Sequence, residues 1–257
     1  MSSLFSKDSS SSAFFSRLFR RRRTFRPAYA SDGLAVKRKN LSFMTDPVFA
    51  SAWEKVVETN TPYWPEVPDI RWRAHVCVWA AASALQIEGN FVELGVNTGL
   101  LSSMICRCTD FDRHVNRRFF LFDTFAGIPG GGVSEKESAE IARRNAVIYR
   151  RDVYDFAKSV FDEFPNAQLV KGMLPHSLAG IDTGPIAYLS IDLNNAKAEL
   201  DSAAILWPRL VKGAIIILDD YAFEGHEEQY SAWNDFTARQ GLQILTLPTG
   251  QGMIIKR

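Results

Sequence analysis

The sequence predicts an α/β fold, with a mostly parallel central sheet covered by helices on both faces and a β-hairpin at the C-terminal end. Three observations predict it. From about Phe91 onward, short apolar runs alternate with helical stretches, the pattern of repeated βαβ units. Those runs are apolar along most of their length, as strands buried on both faces are. Two β-prone runs near the end, Leu242–Leu247 and Met253–Lys256, are separated by a few residues that include Pro248, Gly250 and Gly252, which reads as a hairpin. That hairpin places an antiparallel strand in the sheet, where a dinucleotide dehydrogenase more often continues with parallel units.

Taken in order, residues 1–40 are read as a disordered basic tail. They carry ten Lys and Arg against Asp8 and Asp32, about +8, so a chain total of +1 leaves about −7 for the rest. Serines at 2, 3, 6 and 9–12 precede Phe14, Phe15, Leu18, Phe19 and the run Arg20–Arg23, a composition too polar and charged to bury a core. The Arg- and Ser-rich, acid-poor character resembles a transit peptide, and the Phe/Arg mixture suits anionic lipid or nucleic acid; a solvated extension is the plainer reading. Residues 41–257 form the second unit, long enough at 46% hydrophobic and 12% aromatic content over the whole chain for one sizeable core. No apolar stretch approaches the roughly 20 residues of a membrane span.

An accessory helix is expected with Asp46 as its N-cap, Pro47 at its first position and Phe49, Trp53, Val56 and Val57 on one face. A second is expected from about Ile70 to Leu85, with Trp72, Val76, Trp79 and Leu85 at helical spacing and Gly89 closing it. The expected strands are Phe91–Leu94, Phe119–Phe122, Gln168–Val170, Ile186–Ile191 and Ala214–Leu218. Cys77, Cys106 and Cys108 make an odd set with no zinc-like partner spacing and no secretory pattern before them, so buried thiols in a reducing compartment, hence a cytoplasmic protein, are expected.

In open α/β sheets ligands bind beyond the carboxyl ends of the strands, and here those ends are acidic. The first runs through Glu93 and Gly95-Val96-Asn97-Thr98-Gly99 into a helix near Leu100; its Gly-x-x-x-Gly spacing is not the Gly-x-Gly-x-x-Gly of nicotinamide enzymes. The second ends at Asp123, close to the roughly 20-residue interval at which a carboxylate meets an adenosine ribose, with a turn cap as the alternative role. The fourth ends at Asp192 and the fifth at Asp219-Asp220. Three converging carboxylates repel unless neutralised, and a hard divalent cation such as Mg²⁺ would both neutralise them and activate a substrate hydroxyl. Each taken singly also suits a helix or turn cap. His226 stands a short loop after Asp220 and suits a general base, or a simple polar role.

These blocks resemble the macrocin O-methyltransferase (TylF-like) family. The resemblance covers about Trp72 to Arg257 and rests on Gly89–Val96, Leu121–Pro129, Val170–Met173, Leu206–Gly213 and Asp219–Tyr221, the second and last being the most specific. It implies a Rossmann-like class I methyltransferase fold that uses S-adenosylmethionine, with Glu93 and Gly95 near the methionine part of the donor and Asp123 at its ribose. Asn97 and Gly99 complete the expected donor site. It implies Mg²⁺ on Asp192, Asp219 and Asp220, with Asp192 and His226 as the catalytic pair expected here, and a small hydroxylated acceptor of sugar or other natural-product type. Two departures stand out. Val96-Asn97-Thr98-Gly99 replaces an aromatic Trp-Arg-Gly-Gly-like turn, and the Asp-x-Asp-x-Tyr block appears as Ser190-Ile191-Asp192-Leu193-Asn194, lacking the first acid and the Tyr, which points to an altered acceptor pocket. Other readings are a nicotinamide-dependent oxidoreductase, or a catalytically silent adenosine-binding module whose tail engages membrane or nucleic acid. Gly130–Arg151, with Gly130–Gly132 ahead of a charged helical stretch, is read as a lid, and a homo-oligomer is open.

Overall fold

The computed structural model describes residues 27–130, 135–149 and 151–257. The chain divides into two units, residues 1–40 and 41–257. In the first, β1 (Tyr29–Ser31) and β2 (Leu34–Val36) pair as an antiparallel hairpin. Asp32 and Gly33 both take positive φ at its turn, the geometry a two-residue hairpin requires. Composition alone reads this stretch as part of a structureless tail; a local Asp-Gly turn between short β-prone runs gives it backbone pairing. The Ser/Arg-rich segment before it lies outside the described residues.

In the second unit, α1 (Pro47–Asn60) begins as the sequence predicts: the Asp46 carboxylate accepts from the amides of Val48 and Phe49, both at 3.1 Å. Its buried face is Phe49, Ala52 and Val56. Helix α2 (Arg71–Ala84) buries Ala74, Cys77, Ala80, Ala81 and Ala84, while Trp79 stays 52% exposed. Of the four residues expected at helical spacing, Val76 and Leu85 pack against the core while Trp79 does not. A stripe of small residues lets the helix lie close against the sheet, where it joins Phe91, Phe119, Leu121 and Tyr188 in one hydrophobic cluster. Gly89 does not end this helix either. It has φ +138°, and a Cβ there would meet the Ala187 backbone nitrogen at 2.8 Å, so its role is a close approach beside the sheet.

The remaining elements are β3 (Asn90–Leu94), α3 (Leu100–Cys108), β4 (Phe119–Asp123), α4 (Glu135–Val147), α5 (Tyr154–Phe161), β5 (Ala167–Lys171), β6 (Ile186–Ile191), α6 (Ala196–Leu206), β7 (Leu210–Leu218), α7 (Glu227–Arg239), β8 (Leu245–Thr246) and β9 (Gly252–Ile255). The seven-stranded sheet runs β5-β4-β3-β6-β7-β9-β8. Its first five strands are parallel, and β9 enters antiparallel between β7 and β8. Successive residues point to opposite faces, so Phe91 packs under α2 whereas Val92, Leu94, Phe120 and Phe122 join Leu206, Trp207, Trp233 and Phe236 on the other side. Each buried Phe of this kind contributes about 2 kcal/mol by removal from water.

Register, more than composition, places the strand ends together. Leu94 pairs with both Phe122 and Ile191, Ile191 with Leu218, and Leu218 with Gly252. The ladder continues one step further, with the Asp192 amide donating to Leu94 O at 2.8 Å and the Asp219 amide to Ile191 O at 3.0 Å. Four consecutive strands therefore finish abreast, and the order reverses at β3, where β4 lies on one side and β6 on the other.

Candidate active site

Beyond these strand ends lies a cavity of about 640 Å³, within the range of small-molecule sites. Glu93, Gly95, Asn97, Asp123, Asp192, Asp219 and Asp220 line it, as do Trp64, Arg73, Arg144, Tyr149 and His176. Of the expected site residues, Gly99 and His226 are not on its wall.

On the β3–β4 side the turn is built by its own backbone. Gly95 (φ +88°) brings its Cα against the end of β6, where a Cβ would lie 1.8 Å from the Asp192 carbonyl oxygen. Asn97 is also left-handed, at φ 51°. Gly99 (φ +85°) stands at the start of α3, with the Phe161 ring filling the place of a side chain. Its glycine is demanded by packing and φ, not by the cavity. The Asp123 carboxylate spans the turn: Oδ2 accepts from the amides of Val96 at 2.6 Å and Asn97 at 2.7 Å, and Oδ1 from the amide of Phe125 at 2.6 Å. The cap role weighed for Asp123 is thus real, and it coexists with a place on the cavity wall because a carboxylate accepts about four hydrogen bonds.

Glu93 is buried at 4% exposure, with Oε1 accepting from Ser102 Oγ at 3.2 Å. Oε2 is buried with no partner. Burial pushes its pKa up to about 8. An unpaired buried carboxylate oxygen on a cavity wall fits a cationic ligand group, such as the ammonium of an amino-acid moiety.

On the β6–β7 side the three acids do converge, but arginines meet them. Asp219 is 1% exposed; its Oδ2 is ion-paired with Arg73 of α2, and its Oδ1 accepts from Gln251 Nε2 at 3.0 Å. Arg144 of α4 stands 3.6 Å from Asp220 Oδ2 and donates to Asn194 Oδ1, while Asn194 Nδ2 donates to Asp192 Oδ1 at 2.9 Å. Burial, followed by the charges of Asp219 and Asp220, raises the proton affinity of Asp192 well above that of an ordinary aspartate. The Mg²⁺ expected on Asp192, Asp219 and Asp220 does not fit this donor set, because Arg73 is ion-paired with Asp219 and Arg144 faces Asp220, so two cations already stand where the metal would. Among the described residues no group of three or more His, Cys, Asp or Glu could hold a metal ion. The cysteines agree with the expectation of free thiols: Cys77 and Cys106 are buried and Cys108 partly so.

His226 is buried behind Arg144, whose Nη2 lies 2.6 Å from Nε2, while Nδ1 lies 3.0 Å from Gln229 Oε1. A guanidinium only donates, so Nε2 accepts and Nδ1–H donates to Gln229. The ring that was expected to act as a base has its outward nitrogen covered. Sequence reasoning misses Arg73, Arg144 and Gln251; the one available signal is the surplus of negative charge at the strand ends, which a metal would satisfy equally well.

The family model for macrocin O-methyltransferase (TylF) matches residues 73–246. A Streptomyces olivaceus 8-demethyl-8-(2,3-dimethoxy-alpha-L-rhamnosyl)-tetracenomycin-C 4'-O-methyltransferase is 24% identical over 163 residues, 61% of this chain. The chain spans about 60% of the length of that curated relative. Among solved structures, the O-methyltransferase NovP superposes with a TM-score of 0.65 at 18% identity, covering 84% of this chain and 97% of that one. The calicheamicin methyltransferase CalS11 gives 0.60 at 18% identity, covering 86% and 98%. SAH-bound PaMTH1 of Podospora anserina gives 0.52 at 13% identity, covering 100% of both. At these identities the likeness shows the fold, that of class I methyltransferases. No helix among the described residues is long and apolar enough to cross a membrane.

Proposed function

The chain belongs to the macrocin O-methyltransferase family, and from that membership we propose that it transfers a methyl group from S-adenosylmethionine to a hydroxyl of a small molecule of sugar or other natural-product type. The observation that carries the reading is Glu93: a buried carboxylate oxygen without a partner, on the wall of a cavity at the point where the strand order reverses. Glu93 takes the ammonium of the donor, and Asp123, fixed by three backbone amides, presents its remaining acceptor positions to the ribose.

The donor supplies an electrophilic methyl on a sulfonium. Asp192 stands on the cavity wall on the other side of the same strand ends, with its proton affinity raised in the direction a base at neutral pH needs. It accepts the proton of the acceptor hydroxyl as the new C–O bond forms, while the C–S pair stays with sulfur and leaves a neutral thioether. His226 holds Arg144 in place and does not meet the acceptor. Trp64, Tyr149 and Ile148 give the cavity its apolar wall for the body of the acceptor. Arranging two reactants in this way supplies roughly 7–11 kcal/mol of the barrier reduction.

Calorimetric titration with S-adenosylmethionine tests the reading. Micromolar binding that weakens at least about tenfold in Glu93→Ala supports it. A folded protein that binds none overturns it. Methyl transfer to a panel of hydroxylated acceptors then identifies the substrate.

A further inference from the structure

We infer that Arg73 and Arg144 are built-in counter-ions for the acceptor end of the cavity, taking the electrostatic place that a divalent cation would otherwise fill. The inference uses the cavity assigned above, but its principal test, cation binding, does not depend on methyl transfer.

Asp219 is the centre of a network in which each carboxylate oxygen has a protein partner. Its Oδ2 holds the Arg73 guanidinium and its Oδ1 holds Gln251 Nε2. Gln251 is itself fully buried and fixed by Thr249, whose hydroxyl donates to Oε1 at 2.9 Å. The Arg73 guanidinium lies 5.5 Å from the centre of the Phe223 ring, which holds its other side. A Mg²⁺ ion requires oxygens at about 2.0–2.1 Å in near-octahedral array. On Asp219 it would stand beside a guanidinium that is always charged and lies against an aromatic face.

Arg144 does the same for the other two acids. It faces Asp220 directly and reaches Asp192 through Asn194, and its Nε is anchored to Glu140 on its own helix at 2.9 Å. The three strand-end carboxylates and these two guanidiniums sum to one negative charge. A sulfonium donor carries one positive charge and would balance it. A divalent cation added to the same set would leave the region positive and repel the sulfonium, an effect that weak screening in a cavity enlarges.

The experiment is Mn²⁺ titration of the full chain followed by electron paramagnetic resonance, with Mg²⁺ competition. The wild type should bind no Mn²⁺ tighter than about millimolar. Arg73→Met should gain a site that Mg²⁺ competes for, and Arg73→Lys, which keeps the charge, should behave as the wild type. S-adenosylmethionine affinity in the wild type should change less than about twofold between chelator and millimolar MgCl₂. A stoichiometric Mn²⁺ site in the wild type that Asp219→Asn removes would overturn the inference. So would a folded Arg73→Met, checked by circular dichroism, that binds no more Mn²⁺ than the wild type.

Discussion

The two sides of the cavity solve the same electrostatic problem differently. On the β3–β4 side a carboxylate, Asp123, is satisfied by backbone amides of Val96, Asn97 and Phe125, groups at most 27 residues away and delivered by the turn itself. On the β6–β7 side the counter-charges come on long side chains from distant helices: Arg73 lies 146 residues from Asp219, and Arg144 faces Asp220 and reaches Asp192 through the neighbouring Asn194. Amide dipoles are fixed by the fold and cannot be exchanged without rebuilding it. Side-chain cations can be changed by one substitution. The first half is therefore suited to an invariant ligand, and the second to acceptors that differ among proteins of one fold.

The comparison breaks most sharply at Asp192. Asp192→Asn should lower kcat about 10²–10⁴-fold while leaving donor affinity within about threefold, as loss of a general base does. Parallel losses of rate and donor affinity would place Asp192 with the donor half instead. Next comes Gly95→Ala. A methyl 1.8 Å from the Asp192 carbonyl at φ +88° should cost about 3 kcal/mol and lower Tm by several degrees. Thermal denaturation checks it, and an unchanged Tm would mean that the two halves are not in backbone contact.

Glu93 sharpens the contrast through protons. Its pKa near 8 leaves it largely protonated at pH 7 without ligand, and an ammonium beside it favours the carboxylate. Donor binding should therefore release close to one proton at pH 7 and fewer above pH 8. Calorimetry in buffers of different ionisation enthalpy reads the number, and Glu93→Gln should abolish the release.

The smallest effect is expected at Glu199, buried beneath the acceptor half, where it accepts from Trp233 Nε1 at 2.7 Å and where burial raises its pKa to about 7. A raised folded pKa means that the folded state holds the proton more tightly. The stability it contributes is complete below the unfolded value of 4.5 and is lost as pH rises through 7. Glu199→Gln keeps an acceptor for Trp233 and cannot ionise. Its Tm relative to wild type should improve steadily from pH 5 to pH 8, by a few degrees at most; a pH-independent difference would show that the glutamate is not titrating.

Much of this was readable beforehand because it is local. The Asp46 cap, the five parallel strands and the terminal hairpin each rest on neighbours in the chain. So do the strand-end acids, since a carboxylate at the end of an apolar run lies at the end of a strand. The packed face of α2 was readable only in part: Val76 and Leu85 pack against the core as spaced, but the sheet selects small residues beside it, so Ala80 and Ala81 are wholly buried while Trp79 faces outward. The identity of the counter-charge was not readable either. Sequence gives the surplus of negative charge, but only tertiary packing decides whether a metal or an arginine from far along the chain meets it. The hairpin at 29–36 shows the opposite error, a compositional argument overriding a local Asp-Gly turn.

The antiparallel insertion of β9 has a consequence for how the protein is made. Arg73 comes from the first half of the chain and Gln251 from the segment that leads into β9, so the ribosome delivers the partners of Asp219 on either side of it and far apart in time. Until Gln251 arrives and β9 pairs with β7, the most deeply buried acid of the cavity lacks half of its support. A chain cut short before Gly250 would keep the local partners of Asp123 and Glu93 but leave Asp219 without Gln251, so the two halves of the cavity would differ in how far they depend on the final hairpin.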